Sequence, residues 1–286
     1  MSEPRQQSLY HDPEIYDILH APGSASDIRG LLALERRWIP PHAQGGLWLE
    51  PACGTGRLVL LAAQRRRPCI GFDIAQPMIR YAKARATELN LDAPPRLARF
   101  AIADMTTFAS NSALKRLGLR DRSVSLAFNP INTIRHLPTD RAMLDHFAHI
   151  ARVLRPGGVY AVGLSVCDPA SESASEDTWQ GKRGSTRVTQ VVQYEPPGWR
   201  RANATKCPPR KERVTSHLTI TAPSKPDPLP DIHLDDAYWL RTYTRAQWQQ
   251  LIDRSALRLL ASTDERGRPH DPGPIGYALW LLTPHV

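Results

Sequence analysis

The sequence predicts an α/β fold: a seven-stranded, mostly parallel sheet with helices on both faces and an antiparallel β insert after the fifth strand. Three observations lead there. Short apolar runs alternate with helical segments over the first 165 residues, the pattern of a parallel sheet covered on both sides. A glycine-rich turn, Glu50-Pro51-Ala52-Cys53-Gly54-Thr55-Gly56, follows the first apolar run. Acids stand at the ends of the next two runs, at Asp73 and Asp104.

Leu47–Glu50 is the first strand, and Arg57–Arg66 the helix after it. Arg65, Arg66 and Arg67 fall where that helix ends, and cations there complement the helix dipole. Cys69–Asp73 and Arg99–Ala103 are the second and third strands, with Pro77–Leu89 helical between them. Val124–Asn129 is the fourth strand. A helix over Asp140–Leu154 is opened by Thr139-Asp140 and stopped by Pro156-Gly157-Gly158, ahead of the fifth strand Val159–Ser165. The pattern then changes. Ser171–Asp177 reads as a polar loop, and Thr186–Tyr194 and Glu212–Thr221 as antiparallel strands. Two proline-rich breaks, Pro196–Lys211 and Pro223–Pro230, interrupt this region before the run Tyr238–Tyr243. Thr244 and Gln247 make a capping box for a helix ending near Ala256, and Leu257–Ser262 and Ile275–Leu282 supply the last two strands. The organisation expected is therefore a core over 1–166 with an N-terminal lid segment, an insert over 167–243, and a return to the core over 244–286.

Composition removes several classes. At 286 residues the chain can bury a large core. Its four cysteines, Cys53, Cys69, Cys167 and Cys207, form no CxxC pair, which argues against a zinc ribbon or a disulfide framework. The first twenty residues lack an apolar segment, and nothing approaches the ~18 apolar residues of a membrane span. A cytoplasmic location and no membrane partner are expected. The net charge of +9 is mostly arginine spread from Arg5 to Arg268, not one stripe, which argues against a nucleic-acid partner. His146 and His149, beside Asp145, have a spacing that metals use. With no third ligand in sight, a solvated helix face and no metal are expected.

The turn after the first strand lets the backbone pass close to a ligand at a helix N-terminus. Val59 stands where a dinucleotide fingerprint requires its third glycine, and Glu50 would face a pyrophosphate with the wrong charge. An acid there suits a cationic group. Asp73 can accept from ribose hydroxyls, and Asp104 with Met105 can hold an amino group and a ring.

LEPACGTGRL, GFDIAQPMI, ADM and VLRPGG resemble the ordered motifs of Rossmann-like class I S-adenosylmethionine-dependent methyltransferases, over about the first 165 residues. The resemblance implies S-adenosylmethionine as cofactor. It assigns Glu50, Ala52, Gly54 and Gly56 to the methionine moiety, Asp73 and Ile74 to the ribose, and Asp104, Met105 and Met78 to the adenine. Arg29 is placed like an arginine that binds the methionine carboxylate in some members, and Asn129 is assigned to the cofactor side.

Two families compete for the acceptor. Asn129-Pro130 begins like the NPP-aromatic element of nucleic-acid base methyltransferases, but Ile131 and Asn132 replace its second proline and stacking ring. Asn132-Thr133-Ile134-Arg135-His136-Leu137 resembles the NSxxHL element of glycine, sarcosine and amino-sugar N-methyltransferases. That resemblance implies N-methylation of a small molecule, with Asn132 orienting the acceptor and Arg135, Tyr16, Trp239 and Tyr243 around it. Ser165 stands where the amino-acid enzymes carry an arginine, which points away from glycine. His136 is the candidate base, because imidazole titrates near neutrality. Tyr10 and Tyr16 are candidates for a lid, and the insert for an acceptor lid or a homodimer contact. Oxygen methylation, base methylation and a non-catalytic cofactor scaffold stand as alternatives.

Overall fold

The computed structural model describes residues 8–199, 206–221 and 230–285. Two helices lead in, α1 (Pro13–His20) and α2 (Ser24–Trp38). Asp12 caps α1 by accepting the Ile15 N–H at 3.2 Å, and Pro13 takes the first helical position, where its missing N–H costs nothing. The core then alternates β1 (Leu47–Pro51), α3 (Arg57–Gln64), β2 (Cys69–Asp73), α4 (Gln76–Glu88), β3 (Ala98–Ile102), α5 (Ser112–Arg116), β4 (Val124–Asn129), α6 (Asp140–Val153) and β5 (Leu154–Val166). The insert contributes β6 (Ser175–Arg183), β7 (Thr186–Glu195), β8 (Lys211–Thr221) and β9 (Ile232–Arg241). Finally α7 (Arg245–Asp253), β10 (Leu257–Thr263) and β11 (Gly276–Pro284) close the chain's fold, with the Thr244–Gln247 capping box formed.

The core strands make one sheet in the order β3-β2-β1-β4-β5-β11-β10. All its neighbours are parallel except β11, which is antiparallel to β5 and β10. The seven mostly parallel strands are those expected. Alternate strand residues fill two cores. Leu49, Ile70, Ala127 and Tyr160 pack with Phe147 of α6 and Trp248 of α7. Trp48, Cys69, Leu126 and Ala161 pack with Leu31 of α2 and Leu58 of α3. Burial on both faces is why these strands read as continuous apolar runs. The strand order reverses direction between β1 and β4, and the crevice at their carboxyl ends is where open α/β sheets bind ligands.

The insert is a separate antiparallel sheet, β6-β7-β8-β9. Its period-2 pattern buries Val188, Gln190 and Val192 of β7 and Val214, Ser216 and Leu218 of β8 on one face. Ile15, Ile18 and Leu19 of α1 cover part of that face, against Val188, Leu218 and Ile220. The approach is close enough that a Cβ on Gly181 would overlap the carbonyl oxygen of Ile18. Gly181→Ala is therefore expected to push α1 off the sheet and cost about 1–3 kcal/mol, read as a lower denaturant midpoint.

Two expectations are corrected. The polar segment Ser171–Asp177 is not all loop, because β6 begins at Ser175 and pairs with Tyr194. His146 is no solvated residue: it is fully buried, its ring nitrogens 3.0 Å from the Met105 carbonyl oxygen and 2.9 Å from the Tyr160 hydroxyl. Burial lowers its pKa to about 4, so it is a neutral core bridge. Of the two proline-rich breaks, 200–205 and 222–229 lie outside the described residues. All four cysteines are buried and unpaired. Among the described residues no cluster of three or more His, Cys, Asp or Glu could hold a metal, and no helix is long and apolar enough to cross a membrane.

Candidate active site

The turn leaving β1 has left-handed backbone at Ala52 (φ 50°), Gly54 (φ 53°) and Gly56 (φ 72°). Gly56 also lacks room for a side chain, since a Cβ would lie 2.5 Å from the Phe100 ring. The Gly54 N–H donates to Asp73 Oδ2 at 2.9 Å, and the Ala75 N–H donates to Asp73 Oδ1 at 2.8 Å. Asp73 thus ties the end of β2 to the glycine turn beside it. Asp104 shapes its own turn by accepting the Thr106 N–H and hydroxyl, both at 2.6 Å.

Glu50 at the end of β1 and Asn129 at the end of β4 flank the crevice. Asn129 Nδ2 donates to the Pro51 carbonyl at 2.8 Å. Its Oδ1, like Glu50 Oε2, is buried without a hydrogen-bond partner. Buried polar atoms without partners are costly in a native fold. Burial pushes the Glu50 pKa up to about 8, against the pull of Arg57. The guanidinium of Arg57 lines the same cavity and is anchored to Ser24 Oγ at 2.8 Å and Asp27 at 3.0 Å.

From this end the cavity extends under the insert sheet. Tyr10, Tyr16 and His20 enter from the N-terminal segment, Asn132, Arg135 and His136 from the turn after β4, and Gln190, Tyr194, Ser216, Asp236 and Tyr238 from the sheet above. Tyr10 bonds His136 Nε2 at 3.3 Å, and the His136 ring stacks on Tyr238 with centroids 5.9 Å apart. His136 is open to the cleft but walled by protein, and that desolvation, with Arg135 beside it, lowers its pKa to about 4. Burial holds the Tyr16 and Tyr194 phenols up at about 12, so they remain protonated donors. Asp17 latches the roof: it accepts from Thr55 Oγ1 at 3.0 Å in the glycine turn, Tyr81 of α4 at 3.1 Å and Arg183 of β6.

The cavity gathers Tyr16, Glu50, Ala52, Asn129, Asn132, Arg135 and His136. Gly54 and Asp73 adjoin it, Gly54 beside the Tyr16 ring and Asp73 through its bond to Gly54, whereas Gly56 and Asp104 are not among its lining residues; Ile74, at 65% exposure, offers an open apolar face. Met105 is partly buried against the core. Four expectations are corrected. Arg29 is exposed on α2 in a different groove, and it is Arg57 that lines the cavity near Glu50. Met78 is 1% exposed and so presents no open face. Tyr243 is fully buried in the core against Trp248. Trp239 lies one residue from the pocket-lining Tyr238, on the opposite strand face. Asn132 lines the cavity as expected of an acceptor-side residue and is also tied to Ser165, donating to Oγ at 3.0 Å and accepting its N–H at 2.7 Å, which positions the turn. Arg135 lines the cavity but is committed to Glu212 and, at 2.8 Å, the Arg241 carbonyl.

Sequence reasoning missed Arg57, Asp236, Tyr238 and the Gln190–Ser216 pair, bonded at 2.7 Å. The alternation Leu234, Asp236, Tyr238, Leu240 was a usable signal for two of them.

A seven-stranded sheet with a reversed β11 and a glycine turn at its switch point is the class I methyltransferase fold. Residues 49–158 match the family described as Methyltransferase domain. Three solved structures share the fold. DesVI of Streptomyces venezuelae is 19% identical with a TM-score of 0.69, covering 95% of this chain and 96% of its own. The sugar N-methyltransferase KedS8 from a Streptoalloteichus species is 14% identical, TM-score 0.65, covering 100% and 98%. CalS10, an amino pentose methyltransferase from Micromonospora echinaspora solved with S-adenosylmethionine bound, is 18% identical, TM-score 0.59, covering 98% and 93%. No curated protein matches the sequence. S-adenosylmethionine is the cofactor that the residues here fit: the two partnerless oxygens of Glu50 and Asn129 suit an ammonium, Arg57 a carboxylate, and Asp73 a ribose.

Proposed function

We propose that the chain methylates the nitrogen of a small-molecule amine, with an amino sugar as the leading class, since the structures it resembles include an amino pentose methyltransferase and a sugar N-methyltransferase. One observation carries the reading: a single cavity runs from the partnerless oxygens of Glu50 and Asn129 to a roof bearing Tyr194, Ser216, Asp236 and Tyr238. The roof suits a compact acceptor, with hydroxyl and amide groups for polar substituents and a carboxylate for an amine. When bound, S-adenosylmethionine supplies a methyl group on an electrophilic sulfonium.

The protein's own work is positioning and drying. Glu50, Asn129 and Arg57 hold the amino-acid end, and the latch at Asp17 keeps α1 and the insert over it. The rings of Tyr10, Tyr16 and Tyr238 exclude water around the attacking nitrogen, and alignment with desolvation supplies most of the acceleration in a displacement of this kind. An amine attacks only when neutral. His136, with a pKa of about 4, is too weak a base to deprotonate an ammonium efficiently near neutrality. Its unprotonated ring instead accepts a hydrogen bond, from Tyr10 or from the acceptor.

Labelled-methyl transfer to a panel of amino sugars, other primary amines and phenols, with mass detection of products, tests the proposal. Transfer to amines is expected; transfer to phenols alone, or to nothing in a chain that binds S-adenosylhomocysteine, overturns it. For His136→Gln we expect lower turnover, unchanged S-adenosylhomocysteine affinity, and a pH–rate profile of unaltered shape. Loss of an inflection between pH 5 and 8 in the variant would restore the imidazole as base.

A further inference from the structure

A second concave site lies apart from the catalytic cavity and shares no lining residue with it. Arg29, Arg36 and Arg37 of α2 form one wall, and Arg266 and Arg268 of the turn between β10 and β11 form the other. The three on α2 are spaced to share a helix face. All five are exposed, and among the described residues none of their guanidinium groups forms an ion pair.

Five like charges facing one groove repel one another, yet the packing brings the two walls together. A Cβ on Gly30 would overlap the Glu265 carbonyl oxygen, so only glycine lets the turn dock on α2 this closely. Trp38 Nε1 fastens it by donating to the Gly267 carbonyl at 2.9 Å. Neither acid of the turn, Asp264 or Glu265, forms an ion pair with the cluster among the described residues; Asp264 Oδ1 accepts the backbone N–H groups of Arg266 and Arg268, each at 2.9 Å, and so shapes the turn that presents their side chains.

We propose that this groove binds a small molecule carrying two or more phosphate groups in series. Guanidinium forks match phosphate oxygens bidentately, and several converging forks match a chain of phosphates better than a single one. The cluster is confined to one helix face and one turn, which suits a compact anion and not the length of a nucleic-acid backbone. Free polyphosphate and the diphosphate of a nucleotide share this chemistry.

Calorimetry on the full chain at ~0.15 M salt, where exposed charges are well screened, tests it with tripolyphosphate, pyrophosphate, ADP and orthophosphate. Saturable binding of one tripolyphosphate per chain is expected, stronger than pyrophosphate and far stronger than orthophosphate. ADP binding like pyrophosphate assigns the phosphates alone, and tighter ADP binding adds a contact to the nucleoside; both support the site. Arg36→Ala and Arg266→Ala should each weaken tripolyphosphate about tenfold or more, and Arg268→Glu should abolish binding, with S-adenosylhomocysteine affinity unchanged in all three as proof of folding. No saturation, equal binding in the variants, or binding of duplex nucleic acid alone overturns the proposal.

Discussion

Asp73→Ala is expected to weaken S-adenosylhomocysteine binding by about a hundredfold or more, a large effect for one surface-edge carboxylate. Two losses combine. The carboxylate accepts from both Gly54 and Ala75, so its removal frees the glycine turn that approaches the ligand. It also removes the acceptor assigned to the ribose. Hydrogen bonds to a charged group contribute about 1.5–3 kcal/mol each, and every ~1.4 kcal/mol is tenfold in affinity. Asp73→Asn should be nearly as damaging, because its amide turns an NH2 donor toward one of the two backbone N–H groups. Thermal melting should fall only modestly in both, since Asp73 is partly exposed and water can replace it. Calorimetry checks the first quantity and melting the second. Undiminished affinity in a folded Asp73→Ala chain would remove Asp73 from the cofactor site.

That prediction was reachable from the sequence because the cofactor side is local. Glu50, Gly54 and Gly56 lie within one turn, Asp73 closes β2, whose burial on both faces makes it an apolar run, and Asp104 stands two residues past the edge strand β3. The proposed acceptor side is not local. Tyr10, His136, Gln190 and Tyr238 converge only when the insert sheet folds back over the β1–β4 crevice. The strands at the two edges of that sheet were also the hardest to read. Most of β6 is exposed, and β9 carries Asp235 and Asp236 in mid-strand, so neither resembles a core strand. The choice of Trp239 over Tyr238 shows the cost of an unread strand, because a shift of one residue changes the face. Tyr243 failed differently: it stands two residues beyond β9, where the chain has turned into the core beside Trp248. Arg57 was hidden by its place as the first residue of α3, which reads as a helix start whether or not its side chain reaches a ligand.

Glu50 carries the prediction with the widest reach in pH. Its carboxyl is raised from an ordinary value of 4.5 to about 8 because it is buried, and Oε2 has no partner. In the ligand-free protein near pH 7 it is therefore mostly protonated. A raised folded-state pKa stabilises the fold fully below about 4.5, and that contribution disappears as pH rises through about 8. The free chain should lose stability over this window. A cationic amino group beside Glu50 reverses the preference, since it favours the ionised carboxylate. Cofactor binding must then release a proton, and affinity should climb with pH, by up to about tenfold per unit, before levelling above pH 8. Calorimetry of S-adenosylhomocysteine in two buffers of different ionisation enthalpy measures the proton directly. Glu50→Gln should abolish both the release and the slope, matching the native chain near pH 6 and falling well behind it at pH 8. The same slope in both chains would show that the proton belongs to another group, and that the ammonium lies elsewhere in the cavity.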